Sequence, residues 1–288
     1  MIDVKRVNAF TNSKNGGNPA GVVLNSPELT NEKMMFVTKT LAVSETAFVT
    51  QSKVADYKVR FFTPNSEVDL CGHATIATFY TMGYENIFGG KDVTVKQETK
   101  AGILPVDLSF SKGKIDRVMM TQDRIKLKDI QMDIYRLAGA LKIDVSDIDQ
   151  SLPSQIVSTG LFTLPICIKS LEILRKIKPD FNKVKHLCER LGVGSFHLFC
   201  FDTIDTGSVY HSRNFAPVYG VNEDPVTGTA NGAVCGYLIK NNIIREKKLI
   251  CEQGDIIGRP GRVYVEIKDD FVKVGGIARI VEEKKIDV

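Results

Sequence analysis

Arg60-Phe61-Phe62-Thr63-Pro64, followed by Cys71-Gly72-His73-Ala74, recurs later in the chain as Arg213-Asn214-Phe215-Ala216-Pro217, followed by Thr227-Gly228-Thr229-Ala230. Both copies read R-x-F-x-P, then a short polar loop, then a small polar residue, glycine, a hydrogen-bonding residue and alanine. The intervening loop covers residues 65–70 in the first copy and 218–226 in the second, three residues longer. A spacing of about 150 residues is too wide for a solenoid array, so the repeat predicts two similar lobes. A repeated unit of loop and glycine-led helix start also predicts that the two helix starts face one shared cleft suited to an anion.

Working outward from the repeat, both flanks alternate between short strands and helices. Strands are expected at Ile2–Phe10, Ala20–Leu24, Glu45–Thr50, Tyr57–Thr63, Val93–Glu98, Ile103–Phe110 and Lys114–Gln122. Thr30 is placed to cap a helix whose inner face carries Met34, Val37, Thr38 and Leu41. From His73 to about Met82 the spacing is helical and the surface nearly all apolar, the mark of a buried helix. In the second half, helices are expected near Ile130–Leu141, Asn182–Leu191 and from Gly228 onward. An apolar run spans Gly160–Ile168, and strands are expected at Phe196–Asp202, Val209–Phe215, Lys248–Gln253, Arg262–Ile267 and Val272–Val281. The lobe boundary is set near Thr121–Asp129, giving residues 1–122 and 123–288, with the last strand a candidate to return to the first lobe. The expected fold is α+β, with strands wrapped around one apolar helix in each lobe.

Composition narrows the function. The 288 residues are 43% hydrophobic and 25% charged, with a net charge of +4 and the two signs interspersed, as in a soluble globular protein. The basic stretches Arg124–Lys128 and Arg245–Lys248 are short and interrupted, which reads as solvated surface and argues against nucleic acid as a partner. No apolar run reaches membrane-spanning length, and the N-terminal residues lack the apolar segment of a secretory leader. Six cysteines without a C-x-x-C pair fit buried thiols in a reducing cytoplasm. The four histidines show no H-x-H or H-E-x-x-H spacing, and no glycine-rich nucleotide loop is present, so neither a metal nor a cofactor is expected. What remains is acid–base chemistry by side chains.

Gly72 and Gly228 stand where helix N-termini are expected, and bare N–H groups there favour a carboxylate or phosphate. An ordinary turn before a helix is the plainer explanation for one glycine, but turns need not repeat their flanking sequence. Glu45 lies between an apolar helix and an apolar strand. It reads either as a solvent-facing carboxylate or as one whose pKa burial raises for acid–base work. His73, directly after Gly72, reads as a hydrogen-bonded core residue or as a substrate contact. Asp224 reads as an Asp-Pro turn residue, a cap or a site carboxylate.

These segments, together with Gly17-Asn18-Pro19-Ala20-Gly21-Val22, Ser44-Glu45-Thr46-Ala47-Phe48-Val49 and Glu223-Asp224-Pro225-Val226-Thr227-Gly228-Thr229-Ala230, occur in the order seen in the PhzF-like (phenazine biosynthesis-like) proteins. The resemblance covers nearly the whole chain. It implies a diaminopimelate epimerase-like fold of two pseudo-symmetric lobes, each a β-barrel around a central helix, with the active site between them. It also implies a cofactor-independent isomerase, commonly a homodimer, acting on a small carboxylate substrate. Glu45 corresponds to the acid/base glutamate and His73 and Asp224 to supporting catalytic residues. Gly72, Gly228 and Thr229 correspond to substrate-binding positions, and Asn18 to a position lining the cleft.

Cys71 and Thr227 bear on the chemistry. Related epimerases and proline racemases carry a thiol at both places, one on each face of the substrate carbon. Here the second is a threonine, a poor base with no activator evident in the sequence. A one-base proton shift through Glu45 therefore fits better than two-base racemisation, with Cys71 and Thr227 as substrate-contact positions. An amino-acid racemase or epimerase using Cys71, and a binding module without turnover, remain the alternatives.

Overall fold

Ile2 and Val4, on either side of exposed Asp3, lie in one core at the start of the first strand, β1 (Ile2–Ala9), which pairs on both edges. The computed structural model describes residues 1–26 and 29–288. The chain divides into two units, Met1–Thr121 with Gly275–Val288, and Gln122–Val274. After β1 the first unit contains β2 (Asn18–Val23), α1 (Asn31–Leu41), β3 (Glu45–Thr50), β4 (Tyr57–Phe62), β5 (Glu67–Val68), α2 (Gly72–Tyr84), β6 (Val93–Thr99), β7 (Gly102–Ser111) and the greater part of β8 (Lys114–Arg124). The second contains β9 (Lys126–Asp129), α3 (Ile134–Leu141), β10 (Gln155–Ser158), β11 (Phe162–Cys167), α4 (Leu171–Lys176), α5 (Phe181–Leu191), β12 (Ser195–Cys200), β13 (Tyr210–Ala216), β14 (Val221–Asp224), α6 (Gly228–Lys240), β15 (Lys248–Gln253), β16 (Gly261–Lys268) and most of β17 (Phe271–Gly276). Strand β18 (Ala278–Ile286) pairs antiparallel with β1 and so belongs to the first unit.

The two units share one succession of pairings. In the first, β1–β2 is antiparallel, β2–β3 parallel, β3–β4 and β4–β5 antiparallel, β4–β6 parallel and β6–β7 antiparallel. In the second, β10–β11, β11–β12, β12–β13, β13–β14, β13–β15 and β15–β16 follow the same order of senses. Each set of strands encloses one helix. Helix α2 packs on β1, β2, β3, β7 and β18, and α6 on β10, β11, β12 and β16. Both helices are buried nearly all round, which accounts for their lack of a polar face. The α+β class and the strand-wrapped apolar helix agree with the sequence reading.

Local chemistry fixes the elements as anticipated in several places. Thr30 caps α1 by accepting from the Lys33 N–H, and Met34, Val37, Thr38 and Leu41 form its buried face. Two expectations need correction. The charged stretch at 126–129 is not an irregular boundary: Lys126 and Lys128 flank Leu127 in β9, an alternating strand paired with β10. Val272–Val281 is two strands, not one, since the ladder breaks at Ile277, whose carbonyl accepts from the Phe10 N–H. Among the described residues, no helix is long and apolar enough to cross a membrane.

The repeated arginines have a common structural role. Arg60 on β4 binds both carboxylate oxygens of Glu67 on β5, at 2.8 and 3.0 Å, and its guanidinium lies 4.9 Å from the Phe62 ring centre. Arg213 on β13 binds both oxygens of Glu223 on β14, each at 2.8 Å, with Phe215 again at 4.9 Å. The second clamp is more deeply set, because Arg213 also donates to the carbonyls of Leu174 and Ile177. Each clamp ties down the strand that leads into the glycine-led helix.

Replacement of Arg213 by alanine is expected to cost about 3–5 kcal/mol, since it strands a nearly buried carboxylate and two carbonyls. Arg60→Ala should cost less, because that guanidinium is more exposed. Urea unfolding of both variants checks the order. The Arg60 pair also holds the Glu67 carboxyl at about 2 instead of its ordinary 4.5, against the opposing effect of burial. The folded protein therefore binds that proton at lower pH than the unfolded chain. The stabilisation is full above about pH 4.5 and is lost as pH falls towards 2. Arg60→Ala should flatten this part of the acid unfolding profile.

Candidate active site

In the first unit, Gly17 sets the entry to the site. Its φ of +68° is a left-handed conformation, and a β-carbon there would collide with the Ala9 carbonyl oxygen. The next residue, Asn18, is buried at the start of β2. Strands β2 and β3 run parallel with Ala20 opposite Glu45, so Asn18 and Glu45 lie at the same end of the pair. Glu45 follows directly on α1, whose end is closed by Ala42 in the left-handed conformation.

Helix α2 delivers the other residues. Cys71 is its N-cap and Gly72 and His73 begin its first turn. The Cys71 side chain forms no cap hydrogen bond, while its carbonyl accepts from both the Thr75 N–H and the Thr75 hydroxyl. His73 Nε2 stands 3.4 Å from Glu45 Oε2, and Cys71 Sγ stands 3.4 Å from His73 Nδ1 and 3.9 Å from Nε2. Glu45 Oε2 is buried and has no hydrogen-bond partner. Its contact with His73 is longer than the 2.7–2.9 Å of a well-made charge-assisted bond. Beside Gly72 there is space: a β-carbon would meet no atom within 4 Å.

The second unit holds its counterpart residues differently. Thr227 is the N-cap of α6, followed by Gly228 and Thr229. The Thr227 hydroxyl donates to Asp224 Oδ2 and accepts from Gln253 Nε2 at 3.2 Å. The sequence offered no evident activator for Thr227, and the structure sets the Asp224 carboxylate against its hydroxyl. A carboxylate is nevertheless far too weak a base to hold the alkoxide, and Thr227 remains unsuited to proton abstraction from carbon. Gln253, which the sequence did not single out, organises this end. Its Oε1 accepts from the Thr227 N–H at 3.0 Å and from Asn231 Nδ2 at 2.7 Å, and its Nε2 also donates to the Asp224 carbonyl at 2.8 Å. Gly254, with φ +93°, makes this approach possible, because a β-carbon there would strike the Arg259 and Pro225 carbonyl oxygens. The Gln-Gly pair at the end of a strand was the available signal.

Other candidates for chemistry are buried structural groups. His197 lies wholly within the second unit with Nδ1 3.1 Å from Asn214 Oδ1, and burial lowers its pKa to about 4. Burial pushes the thiols of Cys167, Cys188 and Cys200 up to about 12, which makes them inert near neutral pH. Glu252 is opposed by burial but held at about 2 by His211 and the N–H groups of Ile204 and Asp205.

Comparison with known proteins agrees with these motifs. Residues 7–284 match the family model described as phenazine biosynthesis-like protein (PhzC-PhzF). The uncharacterized isomerase YfhB of Bacillus subtilis is 38% identical over 269 residues, covering 93% of this chain and 91% of that protein. A crystal structure of a PhzF-family phenazine biosynthesis protein from Bacillus anthracis superimposes with a TM-score of 0.91 at 35% identity, covering 100% of this chain and 99% of that one. A probable proline racemase from Agrobacterium radiobacter, with a TM-score of 0.65, 11% identity and coverage of 100% and 93%, shares the fold alone. The chain belongs to the phenazine biosynthesis-like family and is an isomerase-class enzyme.

Gln253→Ala is expected to destabilise the protein by about 1–3 kcal/mol, the cost of leaving the Thr227 N–H and Asn231 amide without their acceptor. A lowered urea midpoint with an unchanged denaturant slope checks it.

Proposed function

We propose that the protein is a cofactor-independent isomerase that shifts a proton within a small carboxylate-bearing metabolite, with Glu45 as the single base. The observation that carries this reading is the Glu45 carboxylate, with an unpartnered buried oxygen, set beside His73 at the start of a buried helix. The Glu45 carboxylate takes a proton from a substrate carbon, and the electron pair of that C–H bond moves into the adjoining π-system. The same proton, now on Glu45, is returned to a different carbon on the same face, restoring the carboxylate. The first-turn N–H groups of α2 favour the negative charge that develops meanwhile. His73 positions the substrate or polarises it. Asp224, bonded to Thr227 and Gln253, is assigned a supporting polar role. Asn18, Cys71, Gly72, Thr227, Gly228 and Thr229 are assigned to substrate binding. The six free cysteines are consistent with a reducing compartment, and the cytoplasm is the assigned location.

A second reading, an amino-acid racemase or epimerase with Cys71 as a base, is favoured by one observation, the 3.4 Å approach of Cys71 Sγ to His73 Nδ1. An imidazole at that distance can take up the thiol proton.

Substrates are found by incubating the protein with metabolite extracts in deuterium oxide and following mass gain and isomer formation. With the substrate in hand, Glu45→Gln should lower kcat by roughly 10²–10⁴-fold, the range for loss of a general base. Undiminished turnover in this variant overturns the assignment. Cys71→Ser should keep most of the activity. Its loss, together with protection of Cys71 from alkylation by substrate, establishes the racemase reading instead.

A further inference from the structure

The sequence holds no metal-binding spacing, yet the tertiary structure assembles three ligand types that sequence distance separates. Among the described residues, one potential ligand atom each from Glu45, Cys71 and His73 lies within 4.8 Å of the others. Nε2 of His73 is common to both close pairs, 3.4 Å from Glu45 Oε2 and 3.9 Å from Cys71 Sγ. In a tetrahedral zinc site, bonds of about 2.3 Å to sulfur and about 2.0–2.1 Å to nitrogen and oxygen put neighbouring ligand atoms roughly 3.3–3.6 Å apart. The trio is thus within a small side-chain movement of three corners of that tetrahedron.

We propose that Glu45, Cys71 and His73 form a reversible binding site for a thiophilic divalent cation, with Zn²⁺ the preferred ion, and that occupancy shuts the enzyme off. Charge and softness support this. A thiolate and a carboxylate neutralise the dication, and a thiolate–imidazole pair selects zinc over magnesium or calcium. Binding forms the sulfur–metal bond as the thiol proton passes to solvent. Glu45 Oε2, buried without a hydrogen-bond partner, gains one strong contact. The fourth corner stays open to water or to a substrate carboxylate. Gly72, between Cys71 and His73, has open space beside it, since a β-carbon there would meet no atom within 4 Å. The binding claim stands by itself, whereas the inhibition rests on the isomerase reading, because the ion engages the oxygen assigned to proton transfer.

The test is a Co²⁺ titration of the full chain, previously stripped with chelator, read by absorption. The expected result is a near-ultraviolet thiolate-to-cobalt charge-transfer band with visible bands of tetrahedral intensity, both abolished by stoichiometric Zn²⁺. Cys71→Ser should remove the charge-transfer band. Glu45→Gln and His73→Gln should retain sulfur ligation with affinity at least about tenfold weaker. Circular dichroism establishes that each variant is folded. Any misfolded variant is replaced by alkylation of Cys71 in the native protein, which should remove the band equally. Absence of the band in the unmodified protein overturns the proposal, as does a band unaltered by loss of the Cys71 thiol. Neither readout needs a substrate, so failure of the isomerase reading is distinguished by retained turnover in Glu45→Gln. Once a substrate is known, Zn²⁺ should inhibit and chelator should restore the rate.

Discussion

In each unit the strands close around a helix with almost no polar side, and this burial constrains everything attached to it. The three threonine side chains of α2 are turned back on the helix. The hydroxyls of Thr75, Thr78 and Thr81 donate to the carbonyls of Cys71, Ala74 and Ala77, at 2.7–2.8 Å. A helix treated in this way has reactive backbone only at its ends. Its start then depends on the loop that feeds it, and that loop is anchored by the arginine–glutamate clamp one strand earlier. The R-x-F motif is therefore a mechanical element, set a few residues before the candidate site residues.

The two copies keep the clamp and differ at the helix start. In the first unit, Cys71 and His73 meet Glu45, whose carboxylate keeps an oxygen without a hydrogen bond. In the second, Thr227 is locked between Asp224 and Gln253, with its N–H and hydroxyl both engaged. The Cys71 side chain makes no cap hydrogen bond at the first start, whereas at the second the Thr227 N–H and hydroxyl are both bonded. A duplicated fold has become an asymmetric one by changing which polar groups are left wanting a partner. The proposed proton transfer and the proposed metal site both draw on that one buried oxygen of Glu45 without a hydrogen bond.

Much of this was legible before the structure. Periodicity located both central helices, and the Thr30 cap with its buried face of Met34, Val37, Thr38 and Leu41 was read correctly. The misses have physical causes. Strand β9 was hidden because its lysines read as a solvated stretch, though alternation around Leu127 was present. Helix α4 is only six residues long, too short for its period to register, although Ser170 caps it. The break at Ile277 depends on Phe10, far away in sequence. Gln253 was passed over because a glutamine at a strand end carries no chemistry until its neighbours are known.

The sequence by itself determined the duplication and the two buried helices with their glycine-led starts, because periodicity and repetition are read along the chain, and its resemblance to a known family singled out Glu45, Cys71, His73 and Asp224 as candidates. The tertiary structure alone decided what these residues do to one another. It set Glu45 against His73 and Cys71, gave Thr227 its carboxylate partner, and turned a sequence without a metal motif into a three-ligand constellation. Such contacts depend on strand register and on how a helix start meets a strand end, and neither is encoded in spacing along the chain.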